Sequence, residues 1–176
     1  MAETKTKELL ENLEQLAKDA APSTKQLFKK LKKKRPKNLD NIAQEAHEEV
    51  FEEIDCLECA NCCKTLSPRI TDVDIARLAK HLRIKPGKVI EHYIKVDEDR
   101  DFIFNATPCP FLMPDNYCMV YEARPKACRE YPHTDQKRFY QVLDLSQKNT
   151  ETCPAVYEIV ERIKIEFEGV FEKPKW

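Results

Sequence analysis

The sequence predicts a mostly α-helical fold with a small β-hairpin or short strands, and three observations carry that prediction. Apolar residues recur at spacings of three and four through most of the chain, the signature of helices with one buried face. A capping threonine and several prolines stand where such stripes begin, as helix starts require. Runs rich in aromatic and β-branched residues are short and few.

Leu9, Leu10, Leu13, Leu16, Ala17 and Ala20 describe an amphipathic helix over residues 7–20, which Pro22 is expected to interrupt. A second short helix carries Leu27, Phe28 and Leu31. It leads into a basic run, Lys29, Lys30, Lys32, Lys33, Lys34, Arg35 and Lys37, broken by Pro36. Asn38 is placed as the N-cap of a third helix whose buried stripe is Ile42, Ala43, Ala46, Val50, Phe51 and Ile54. The outer face of that helix is acidic, with Glu45, Glu48, Glu49, Glu52 and Glu53, and is expected to neutralise the basic run within the fold or between copies. Thr71 and Asp74 form a capping box ahead of Ile75, Leu78, Ala79 and Leu82. Pro86 opens a helix with Val89, Ile90, Tyr93 and Ile94 inward. Strand candidates are 102–104, 117–120 and 139–143, with a turn at Pro114, Asp115 and Asn116. Pro154 opens a last helix that buries Val156, Ile159, Val160, Ile163 and Phe167. The order of elements divides the chain into a helical arm with a basic segment, 1–37, and a cysteine-cluster domain, 38–176.

Charged residues make up 35% of the 176 and hydrophobic ones 41%, which describes a heavily solvated surface. No stretch approaches the ~18 consecutive apolar residues of a membrane span. With 30 Lys+Arg against 31 Asp+Glu the net charge is -1, so a nucleic-acid footprint requires segregated charge. Gly87 and Gly169 are the only glycines, and two cannot build the glycine-rich loops of dinucleotide or P-loop sites. The N-terminus lacks the basic, apolar and small-residue regions of a signal peptide, so a cytoplasmic location is expected. In a reducing cytosol thiols stay thiols unless a metal claims them, and eight cysteines therefore read as a ligand set rather than a disulfide framework. The expected architecture becomes a compact metal-centred domain organised by a cysteine cluster.

Four thiols fall within eight residues as Cys56-x2-Cys59-x2-Cys62-Cys63. Two-residue gaps let a loop return successive thiolates to one centre, as in zinc ribbons and in the opening cysteines of bacterial ferredoxins. Cys109, Cys118, Cys128 and Cys153 must arrive from separate elements. Neighbouring side chains diverge, so Cys62 and Cys63 rarely share one mononuclear ion. If both ligate, the centre is a cluster, a polynuclear site, or two four-thiolate sites each taking one of the pair. Disulfide exchange is the rival reading, but a redox Cys-x-x-Cys follows a strand, whereas here a helix precedes it. Four thiolates around one zinc ion leave a charge of -2, for which Arg124, Lys126 and Arg129 are candidate partners. His133 is a weaker candidate, as ligand or as donor to one. No general base or acidic pair of defined spacing stands out, so no catalytic residue is assigned.

The run from Cys56 to Cys63, the segment Thr71-Asp72-Val73-Asp74-Ile75-Ala76-Arg77-Leu78, Cys109-Pro110-Phe111-Leu112, and the stretch from Cys118 through Arg124-Pro125-Lys126-Ala127-Cys128-Arg129-Glu130-Tyr131-Pro132 resemble the YkgJ-type cysteine-cluster family, also called CxxCxxCC. The likeness spans about residues 50 to 155. Tyr131 stands where the family commonly has phenylalanine, and the basic arm lies outside the motif. The resemblance implies a zinc- or iron-chelating module whose ligands are Cys56, Cys59, Cys62, Cys63, Cys109, Cys118, Cys128 and Cys153. Flagellin lysine methylases share the cluster but are much longer, and methyl transfer does not follow from the likeness. The ferredoxin-like spacing and the adjacent cysteine pair tip the expected cofactor toward an iron-sulfur cluster, of the 4Fe-4S type, over zinc or iron ions. The expected function is that of a cytosolic metal-binding protein. Alternatives are a metal-dependent or redox enzyme, including one related to methyltransferases, and a zinc-stabilised adaptor whose basic run binds nucleic acid or an acidic protein.

Overall fold

The computed structural model describes residues 2–168, with side chains from residue 5 onward. Helices dominate, accompanied by one three-stranded antiparallel sheet. The chain divides into two units, residues 1–59 with 132–176, and residues 60–131. The last eight residues of the expected 38–176 domain lie outside the described residues.

The first unit is helical. It contains α1 (Ala2–Lys34), α2 (Leu39–Glu53), α3 (Cys56–Cys59), α8 (Leu143–Asn149) and α9 (Pro154–Glu166). Its core joins Phe28 and Leu31 of α1, Val50 of α2, Leu143 of α8, and Val156, Ile159 and Ile163 of α9. The N-terminal segment packs in this unit against α8 and α9. Contrary to the expected break, α1 runs straight through Pro22. The buried positions Leu13, Ala17, Thr24, Phe28 and Leu31 keep one phase on both sides of the proline. A continuous face outweighs one missing N–H donor.

Asn38 precedes α2 as expected, but its side chain makes no capping bond. The carboxylate of Asp40 instead accepts the backbone N–H groups of Arg138 and Phe139, at 2.8 and 2.9 Å. Those bonds fix a 3-10 turn at Phe139–Gln141 that leads into α8, where a strand was expected over 139–143. Phe139 and Leu143 are both fully buried, and their spacing of four suits a helical path. The acidic face of α2 is met by Arg162, at 2.6 Å from Glu49 and 2.8 Å from Glu53, and by Lys5, 2.5 Å from Glu53. Among the described residues, no ion pair joins the basic run to that face. Lys32 pairs with Asp144, and Arg35 lies over the Tyr140 ring, 4.5 Å from its centroid.

The second unit contains α4 (Asn61–Thr65), β1 (Arg69–Ile70), α5 (Asp72–Leu82), α6 (Pro86–Tyr93), β2 (Ile94–Val96), β3 (Phe102–Phe104) and α7 (Lys126–Glu130). The strands lie in the order β1-β3-β2, with Ile103 opposite both Arg69 and Lys95. Ile70, Leu78, Val89, Phe104, Phe111 and Val120 form the core, and Cys109 and Cys118 pack against it. The capping box forms in both directions: Thr71 accepts from the Asp74 amide at 3.2 Å, and Asp74 accepts from the Thr71 amide at 2.9 Å. Pro86 opens α6, but Ile90 is exposed rather than inward. Residues 117–120 form no strand. A single bridge joins Leu112 to Cys118, flanked by bonds from Met113 to Tyr117 (2.8 Å) and from Met119 to Phe111 (2.9 Å). The expected turn is there, with the Asn116 amide donating to Met113 and the Tyr117 amide to the Asp115 carboxylate, both at 3.0 Å. Pairing stops because the chain turns at once into a 3-10 helix at Tyr121–Ala123.

Candidate metal centre

In the second unit, Ala60 precedes α4 with φ of 46°, a left-handed conformation uncommon for alanine. Cys62 and Cys63 follow on α4, about 100° apart around its axis. The Cys63 carbonyl accepts the Cys109 amide at 2.8 Å, which holds the Cys109 loop beside α4. The Cys109 carbonyl accepts the Leu112 amide at 3.0 Å, and the Leu112 to Cys118 bridge brings the third segment back. Cys128 sits on α7, whose first turn closes through the Cys128 amide and the Pro125 carbonyl at 3.0 Å.

Asp74 and Arg77 of α5 anchor the approach to Cys128. Asp74 accepts the Lys126 amide at 2.9 Å and pairs with Arg77. Arg77 in turn donates to the Arg124 carbonyl at 2.8 Å and the Ala123 carbonyl at 3.4 Å. Arg129 donates to the same Arg124 carbonyl at 3.0 Å. The sequence displayed Asp74 only as a capping residue, because its partner in α7 lies 52 positions away.

Burial pushes the thiol of Cys109 up to about 11 and that of Cys128 up to about 12, and it raises Cys118 as well. The charge of Cys63 adds to the rise at all three. Cys63 itself is lowered to about 7 by a hydrogen bond from Cys62, which overcomes burial with help from Arg124 and Lys64. Of the three candidate cations, Arg124 is the one that favours thiolate at Cys63, Cys118 and Cys128. Its guanidinium lies 3.6 Å from the Tyr121 ring centroid, and its Nε donates to the Tyr121 carbonyl at 2.9 Å. Lys126 faces Glu130 at 3.6 Å. Lys64 went unnoticed in the sequence although it adjoins Cys63.

The first unit holds Cys56, Cys59 and Cys153. Asp55 starts α3 by accepting the Leu57 amide at 2.7 Å, which leaves Cys56 exposed and Cys59 buried. Cys153 precedes α9 without a side-chain capping bond and gives its amide to the Asn149 carbonyl at 2.8 Å. Burial pushes its thiol up to about 12, and the charges of Cys56 and Cys59 contribute. His133 meets Gln136, at 2.9 Å from Nδ1. All eight cysteines are free thiols. As the side chains stand, no group of three or more His, Cys, Asp or Glu among the described residues could hold a metal ion. The donor chemistry nevertheless suits a soft cation, because four sulfurs from four segments belong to one unit and Arg124 favours thiolate at three of them.

A family model described as "CxxCxxCC: Putative zinc- or iron-chelating domain" matches residues 55–154, more than half of the chain. The chain belongs to the CxxCxxCC family. No curated protein and no solved structure matches it. The CxxCxxCC region begins at Asp55, which starts α3, and ends at Pro154, which opens α9, so it takes in all eight cysteines together with Asp74 and Arg77. Membership in the CxxCxxCC family supports metal binding in general. Helix α1 lies outside the matched region, and no described helix is long and apolar enough to cross a membrane.

Proposed function

We propose that this chain is a cytosolic metal-binding protein whose eight cysteines are its ligands, seven of them falling into two sets. One set is Cys63, Cys109, Cys118 and Cys128. The other contains Cys56, Cys59 and Cys153, and Cys62 stands beside Cys63. The observation that carries the reading is that one unit holds four thiols on separate segments, with the Cys109 amide bonded to the Cys63 carbonyl at 2.8 Å and the Leu112 to Cys118 bridge following. Burial there opposes thiolate, and a bound cation would reverse the balance for the whole set. The bound group would cross-link the segments that carry the thiols.

The metal is proposed to be iron in an iron-sulfur cluster, on the strength of the Cys-x2-Cys-x2-Cys spacing. Tetrathiolate zinc is the second reading, favoured by a four-sulfur set contained in one unit, as in closed structural sites. Anaerobic purification without chelator, with metal and acid-labile sulfide measured per chain and a visible spectrum, decides between them. Iron with sulfide and a brown chromophore supports the cluster. Colourless protein with one or two zinc ions supports the structural site, and protein with no stoichiometric metal overturns both. Cys128→Ser and Cys153→Ser test the division: each should lose one part of the metal and keep the rest. Complete loss in either variant would mean one shared centre.

A further inference from the structure

The basic run plays no part in the metal reading, and the fold enlarges it. Lys29, Lys33, Lys34 and Lys37 are exposed at the end of α1 and just beyond it. Lys29 with Lys33, and Lys30 with Lys34, are like-charge pairs four residues apart, an arrangement that destabilises a helix and that its C-terminal dipole only partly offsets. A distant segment joins them. The Arg138 amide bonds to Asp40, three residues beyond Lys37, and the Tyr140 ring lies under Arg35, so exposed Lys137 and Arg138 adjoin the same surface of the first unit.

Two carboxylates beside this face are engaged. Asp40 accepts two backbone amides and Asp144 pairs with Lys32. On the acidic face of α2, Arg162 holds Glu49 and Glu53 and Lys5 also holds Glu53, while Glu45, Glu48 and Glu52 are exposed. With a net charge of only -1 over the whole chain, this face is the segregated positive charge that a polyanion site requires.

We propose that this face binds the phosphodiester backbone of nucleic acid without reading its sequence. Lysine is depleted from protein interfaces, which draw their energy from buried apolar anchors, and here Phe28, Leu31 and Phe139 are all turned into the core. Lysine is in contrast a usual partner of phosphate, acting as a point charge, and phosphate contacts position nucleic acid without carrying sequence information. The proposal is independent of which metal the cysteines hold.

The test uses the full-length, metal-loaded protein and fluorescence anisotropy with labelled duplex DNA and duplex RNA of the same sequence, from about 50 to 200 mM salt. Binding is expected at the low end, with a log-log salt slope of roughly -4 to -6 and equal affinity for a scrambled duplex. The more tightly bound duplex names the source of the phosphate. The variant K33E/K34E/R138E should bind at least about tenfold more weakly with a flatter slope. K80E/K85E, on exposed lysines of the second unit, should bind as the parent does. Circular dichroism and metal content verify that both variants fold. No binding to either duplex at low salt, or parental binding by K33E/K34E/R138E, overturns the proposal. Competition by polyglutamate as effective as that by either duplex also overturns it and points to an acidic protein instead.

Discussion

The Asp74 carboxylate accepts hydrogen bonds from the Thr71 amide and hydroxyl, from the Lys126 amide and from Arg77, with its side chain 1% exposed. Replacing it with alanine strands Arg77 and an amide of α7 at once, at an expected cost of about 3 kcal/mol. Urea denaturation measures that cost, and metal content should fall with it because α7 carries Cys128. Burial works to raise the Asp74 pKa, but the bonds from Thr71, Lys126 and Arg77 outweigh it and hold the carboxyl below its ordinary value. Its contribution is therefore complete above the unfolded value of about 4 and lost as pH falls through the lower folded one. The stability gap between wild type and Asp74→Asn should close in acid below about pH 4, and a constant gap would contradict the assignment. Glu53 has the same sign: the bond from Lys5 and then that from Arg162 hold it at about 2. With its side chain 43% exposed, it should cost only about 0.5 kcal/mol as Glu53→Gln, less in high salt. The capping half of Asp74's role was legible because Thr71 lies three residues away. The α7 half was not, because no local pattern encodes a partner 52 positions distant.

Helix α1 shows how far a local rule reaches. Pro22 removes one N–H and crowds the preceding turn, which is why the sequence suggested two helices. The buried stripe passes it without a change of phase, so packing in the first unit overrides the propensity. Pro22→Ala should therefore stabilise the protein by about 1–3 kcal/mol and raise the melting temperature. An unchanged or lower melting temperature would mean that the helix is already broken there. The miscast strands have a related cause. Residues 139–143 are apolar enough for a strand, yet Asp40 captures the amides that would begin one. Helix-start signals fared better, since Thr71 before α5, Pro86 at the start of α6 and Pro154 at the start of α9 act within one turn.

For the protein as a whole, the proposed metal is expected to be a large share of stability, since structural zinc contributes on the order of 10 kcal/mol to a small domain. Chelation, or Cys59→Ser, should lower the melting temperature and loosen the fold. Calorimetry with metal analysis checks this, and unchanged melting with unchanged metal content would contradict it. The sequence by itself determined the helical class, the major helix starts, the cysteine pattern and the family to which it belongs, because each is written in spacings of a few residues. Only the tertiary structure bonded the Cys109 amide to the Cys63 carbonyl, put Cys118 and Cys128 in the same unit, and left Cys56, Cys59 and Cys153 in the other. It alone decided that Lys137 and Arg138 extend the basic run, and that Arg124, among three candidate cations, acts on the thiols. Charge acts through space, and residues far apart in the chain become electrical neighbours only once packing brings their backbones together.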